Sequence, residues 1–142
     1  NKFYNLAITE YQEANKLDPD NPEPLIKIGR VHFLSNDFGK AEQNFTAAIN
    51  IKPDSIEAQT YLGRTLLQER KITEAQNLFN KISSETQTVK YYQGILAAYF
   101  GNYENSKKLL NRSIELGTSP DINKKAHEEF ERLCDEEEKV AH

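Results

Sequence analysis

The sequence contains no tryptophan, no methionine and a single cysteine, Cys134. One thiol cannot close an internal disulfide, so no covalent framework supports the fold. The three histidines, His32, His127 and His142, stand far apart with no second His or Cys at ligand spacing, and no metal site is expected. Apolar residues make up 37 % of the chain and the mean hydropathy is -0.75, low for a compact globule and better suited to an elongated fold with a thin core. No apolar run reaches the roughly eighteen residues that a membrane span needs, and no basic segment leads into an apolar stretch of signal-peptide type. Eighteen Lys and Arg are outnumbered by twenty-two Asp and Glu and are scattered, which counts against a nucleic-acid partner. Neither GxxxxGKS/T nor GxGxxG occurs, so no phosphate-cradling loop, no cofactor and no catalytic residue is indicated. The missing methionine, with an opening NKFYNLAITEYQEA that reads as mid-helix, predicts a segment of a longer protein.

What is present is a period. The stretch YLGRTLLQE (61 to 69) is helical in every respect except Gly63, which costs about 1 kcal/mol against alanine in a helix interior. IKIGRVHFL (26 to 34) repeats the design thirty-four residues earlier, with Gly29 and Arg30 in the places of Gly63 and Arg64. Glycines at 29, 63 and 94 are spaced by 34 and 31, and small residues Ala7, Ala41, Ala75 and Ser106 by 34, 34 and 31. Two independent series therefore share one contraction. The repeating unit is a helix with the glycine, a polar turn (SND 35 to 37, ERK 69 to 71, GN 101 to 102), and a second helix starting near Tyr4, Phe38, Ile72 and Tyr103. Glycine on one helix and a small residue on its partner permit close crossing, which pairs Gly29 with Ala41, Gly63 with Ala75 and Gly94 with Ser106. The contraction predicts that the helix from Ile72 ends near Ser83 or Ser84. Asn21-Pro22 and Ser119-Pro120 read as helix starts, and Gly117 as a left-handed helix end.

These residues resemble the tetratricopeptide repeats, whose pattern is W-x2-L-G-x2-Y, A-x3-F and P over thirty-four residues. Residues 22–55 carry Leu25, Ile28, Gly29, His32, Ala41, Phe45 and Pro53; 56–86 carry Leu62, Gly63, Ala75 and Phe79 in a shortened unit; 87–120 form a degenerate one with Gly94, Ser106 and Leu110. Residues 1–21 supply the second helix of a truncated first repeat, and 121–142 a capping helix and tail. The resemblance implies an all-α, right-handed superhelical solenoid of antiparallel helix pairs with a C-terminal capping helix. It also implies a non-catalytic module that binds a protein or peptide segment.

Carried over unit by unit, the inner wall is Ile26, Lys27, Arg30, Phe33 and Leu34; then Thr60, Tyr61, Arg64, Leu67 and Gln68; then Tyr91, Tyr92, Ile95, Ala98 and Tyr99, with Glu23 and Glu57 at the rim. Tyrosine and arginine dominate many interfaces, so this aromatic and basic groove is expected to hold a peptide with acidic character. The alternative for Tyr61, Tyr91 and Tyr99 is packing between units. One subgroup of the family clamps the C-terminal carboxylate of heat-shock chaperones with Lys and Asn, but Ile26, Arg30, Tyr61, Thr88 and Tyr92 stand in those places and the clamp is missing. Two further readings are a substrate-selecting region of a longer enzyme and self-association through the truncated N-terminal end.

Overall fold

The computed structural model describes residues 2–141, and Asn1 and His142 lie outside the described residues. Among the described residues the chain forms eight α-helices and no strand: α1 (Lys2–Leu17), α2 (Glu23–Leu34), α3 (Phe38–Ile51), α4 (Ile56–Gln68), α5 (Ile72–Lys81), α6 (Gln87–Tyr99), α7 (Tyr103–Leu116) and α8 (Pro120–Ala141). Helices α3, α5 and α7 begin at the expected Phe38, Ile72 and Tyr103, and α1 is helical from Lys2, two residues before Tyr4. Helix α5 stops at Lys81, just short of Ser83, and residues 82–86 are not helical, which accounts for the contraction. Two compact units result, one up to Leu78 and one from Phe79 onward.

In the first unit α1 packs on α2, α2 on α3 and α3 on α4, while α2 also reaches α4. Local chemistry fixes the helix ends. Asn21 Oδ1 accepts the Glu23 N–H at 3.0 Å, and the Asp37 and Ser55 side chains accept the Lys40 and Ala58 N–H groups. Each of these acceptors satisfies a donor left over at a helix start. The ends of α2 and α4 share one geometry. Asp37 N–H donates to His32 C=O at 2.8 Å and Lys71 N–H to Leu66 C=O at 2.9 Å, each around a left-handed residue, Asn36 at φ 60° and Arg70 at φ 63°. This is the six-to-one closure that ends many helices.

At Gly29 a ring joins the expected crossing with Ala41. A Cβ placed on Gly29 would lie 2.6, 2.8 and 2.9 Å from three ring atoms of Phe45, so Phe45, one turn beyond Ala41, fills the notch. Helical side chains lean toward the N-terminus of their own helix, so Phe45 covers the surface over the preceding turn. Ala41, with Ile26, Phe45, Ala48 and Ala58, forms the buried cluster of this unit. Ile26 is therefore core, not inner wall; it is fully buried because α2 packs against three neighbours rather than one. Thr60, also assigned to the wall, is buried as well.

The second unit repeats the arrangement, with α6 on α7, α7 on α8 and α8 also touching α6. A Cβ on Gly94 would meet Leu110, at 2.9 Å from two side-chain atoms and 3.3 Å from its backbone nitrogen. Ser106, at the small-residue position, donates its hydroxyl to Gly94 C=O at 2.7 Å. The turn after α6 closes as the others do, with Asn102 N–H on Ala97 C=O at 2.8 Å around Gly101 at φ 84°. Gly117 ends α7 at φ 35° and ψ 44°, the left-handed conformation expected of it. Ala98, placed on the inner wall by its register, belongs instead to a buried cluster with Leu110, Ala126 and Leu133.

A polar clamp that the sequence does not announce ties the start of α6 to the α7–α8 turn. Gln87, buried, accepts at Oε1 from the N–H groups of Thr118 (3.1 Å) and Ser119 (2.7 Å), and donates from Nε2 to Asn123 Oδ1 at 3.0 Å. Its carbonyl accepts the Ser113 hydroxyl at 2.9 Å. The amide thus ties two backbone donors of the part-buried turn to the start of α6.

Candidate functional site

The candidate residues of the first unit converge on one ring. Helix α4 places Glu57, Tyr61 and Arg64 on a single stripe, and α2 places Arg30 and Phe33 one turn apart facing it. The Arg30 guanidinium carbon sits 5.3 Å from the Tyr61 ring centroid and that of Arg64 sits 5.0 Å from it. Arg64 is also 5.1 Å from the Phe33 ring. Both cations lie within the range at which the electron-rich face of an aromatic ring attracts them. Tyr61 in turn stacks on Phe45, with centroids 5.4 Å apart and planes 18° apart, and meets the edge of Phe33 at 6.1 Å. The ring at the centre of the surface is thereby anchored to the core phenylalanine that fills the Gly29 notch.

Arg30 Nη1 also lies 3.5 Å from Glu57 Oε1, both side chains being about half exposed. A pair so open to water contributes little to stability, and it leaves the guanidinium accessible to a competing carboxylate. Lys27 turns away toward α1, 5.5 Å from the Tyr11 ring. Leu34 and Gln68 are exposed at the helix ends, and Leu67 is half-buried. His32, in the aromatic slot of its unit, has its Nδ1 at 3.8 Å from Asp37 Oδ2; burial pushes its pKa below the usual imidazole value, with Asp37 opposing and Lys40 adding to the shift.

The second unit treats its tyrosines differently. Tyr92 stacks on Phe79 at 5.2 Å and 15°, and Tyr91 meets Tyr92 edge-on at 5.1 Å. Tyr91 and Ile95 pack against the cluster of Ala98, Leu110, Ala126 and Leu133, and burial raises the Tyr91 phenol above its ordinary pKa. Tyr99 is 68 % exposed, its ring against the edge of Phe100 at 5.2 Å. Tyr91, for which packing is the alternative, and Tyr92, expected on the inner wall, both pack within the unit, whereas Tyr99 is open to solvent. Sequence reasoning missed Phe45 and Phe79 as the rings behind Tyr61 and Tyr92. The signal was available, because in each unit the phenylalanine of A-x3-F precedes the tyrosine of the following helix.

Among the described residues no group of His, Cys, Asp and Glu is placed to hold a metal ion, and no helix is long and apolar enough to cross a membrane. His142 lies outside the described residues, and Cys134 is a half-buried free thiol.

Two family models match the chain, one described as "TPR repeat" over residues 3–36 and one as "Tetratricopeptide repeat" over residues 32–99. The mouse peptidyl-prolyl cis-trans isomerase FKBP4 is 29 % identical over 94 residues, which are 61 % of this chain and 20 % of that protein. The chain thus spans about a fifth of the length of that relative. Yeast Tom70 superposes with a TM-score of 0.84 at 19 % identity, over 92 % of this chain and 29 % of that one. The Yersinia enterocolitica type III secretion translocator chaperone SycD superposes with a TM-score of 0.75 at 14 % identity, over 87 % of this chain and 99 % of that one.

Proposed function

The chain belongs to the tetratricopeptide-repeat family and is an all-α protein-interaction module, and from that premise we propose that it holds an acidic peptide segment against the Tyr61 surface. The observation that carries this reading is the convergence of two guanidinium groups on one stacked tyrosine ring. A carboxylate side chain of the ligand would take hydrogen bonds from Arg30 or Arg64, and an apolar neighbour would lie on the exposed edge of Tyr61 beside Phe33. Lys27, Leu34, Leu67 and Gln68 extend the surface around this centre. For the second unit, taken by itself, the proposal keeps Tyr99 and Ile95 as groove residues and gives Tyr91 and Tyr92 a supporting role. The repeats are taken as 22–55, 56–86 and 87–120, preceded by one second helix in 1–21 and closed by 121–142.

The test uses a partner recovered by affinity capture with the intact protein. Calorimetry should show Arg30→Ala with Arg64→Ala weakening that partner about tenfold or more, as loss of central anchors does, and flattening its salt dependence. Unchanged affinity in a protein of unchanged helicity overturns the assignment. A second reading, an array that selects substrate for a longer enzyme, draws on the partial match to the mouse isomerase. The full-length reading frame separates the two.

A further inference from the structure

We propose that the trough between the start of α7 and the last turns of α8 docks a lysine- and arginine-bearing amphipathic helix of a partner protein. Leu133, Val140 and Ala141 of α8 and Tyr103 of α7 form its apolar floor, Glu136 and Glu137 line its lips, and its volume is about 390 Å³. That volume lies within the range of roughly 300–1,000 Å³ that accommodates ligands and anchoring side chains. The α8 positions follow helical spacing on one stripe. Earlier on the stripe, Ala126 and Leu133 are buried and Phe130 packs against their cluster. Farther on the apolar surface lies open, with Val140 88 % exposed and Tyr103 47 % exposed.

Charge says what covers it. Helix α8 carries eight Asp and Glu against four Lys and Arg, a balance of -4 that equals the formal charge of the whole chain, so the remainder is neutral. Seven of those carboxylates and only two of the basic residues follow Ala126. Lys107 Nζ binds Glu137 at 2.7 Å and Glu104 at 3.1 Å, and Arg132 pairs with Glu129 and Glu136, while Asp135 and Glu138 in the same turns outnumber the one further cation there, Lys139. An apolar floor on a helix whose last turns carry surplus negative charge fits a helix with apolar anchors at helical spacing and cationic flanks. Nucleic acid and anionic lipid are repelled by the same charge. This surface is independent of the Tyr61 surface and selects the opposite sign.

The chain has no tryptophan, so a synthetic helical peptide with leucines at helical spacing, flanking lysines and one tryptophan reports its own binding by fluorescence. The lysine peptide should bind, and weaken as salt rises, whereas the same peptide with glutamates for lysines should not. Val140→Lys should weaken the lysine peptide about tenfold or more, a loss near 1.4 kcal/mol. Glu136→Gln with Glu138→Gln should reduce the salt dependence, and Arg30→Ala should change nothing. Equal binding of both peptides, or wild-type affinity in Val140→Lys, overturns the proposal. So does self-association of the protein that Val140→Lys abolishes, which would put a second copy in the trough.

Discussion

Replacing Gly29 by alanine sets two effects of similar size against each other, and the structure decides between them. Alanine gains about 1 kcal/mol of helix propensity and chain entropy over glycine in a helix interior. Against this, the new methyl would stand 2.6 to 2.9 Å from the Phe45 ring, distances that no methyl–ring contact sustains. The ring cannot retreat freely, because Phe45 is fully buried and stacked on Tyr61 at 5.4 Å. Overpacking of this kind costs roughly 1–3 kcal/mol, so the net expectation is destabilisation of about 1 kcal/mol, or about 3 °C in the melting temperature at this chain length. Gly39 supplies the control: it is helical and exposed, and a Cβ there meets nothing within 4 Å. Gly39→Ala should therefore stabilise by about 0.5–1 kcal/mol. Thermal and urea melts of the two variants should move in opposite directions, and Phe45→Leu should recover part of the Gly29→Ala loss in a double-mutant cycle. If Gly29→Ala raises stability as Gly39→Ala does, the notch is not filled as described.

Three further outcomes are expected. Gln87→Ala leaves the Thr118 and Ser119 N–H groups without their acceptor and should cost about 1–3 kcal/mol, with hydrogen exchange at those two amides rising before the rest of α8. Arg70→Gly relieves a left-handed arginine and should raise the melting temperature, by an amount corresponding to about 0.5–1 kcal/mol; a lower one would show that the Arg70 side chain matters more than its backbone. His32, whose pKa is lowered in the fold, contributes stability that is present above the unfolded value of about 6.5 and lost as the pH falls through the folded value. Urea melts across that interval should show a shallower pH slope in His32→Tyr than in the wild type.

The period made most of the architecture legible. Glycine and small-residue spacings placed the helix pairs, Phe38, Ile72 and Tyr103 marked second-helix starts to the residue, and Gly117 marked a left-handed end. What the period could not give was depth. Ile26, Thr60 and Ala98 share the register of the inner wall yet are buried, because register names a face while burial depends on how many neighbours that face meets. Ser106 does touch Gly94 as the spacing implied, but the atoms nearest a Cβ at Gly29 and Gly94 belong to Phe45 and Leu110, one turn beyond Ala41 and Ser106, because spacing locates Cα atoms whereas side chains lean back along the helix. Asn36 and Arg70 at positive φ were equally hidden. Asn tolerates that region, but nothing about arginine advertises it. The Tyr61 surface was legible as a list of residue types, and its convergence on one ring was not.

The stack of Tyr61 on Phe45 constrains how this surface can change over time. A ring that doubles as interior filling cannot be exchanged without loosening the fold, so substitutions there are filtered for folding before they are tested for recognition. Under the proposed function, new preferences should instead arise at the periphery, at Lys27, Leu34 and Gln68, where a side chain can be swapped while the central platform stays fixed.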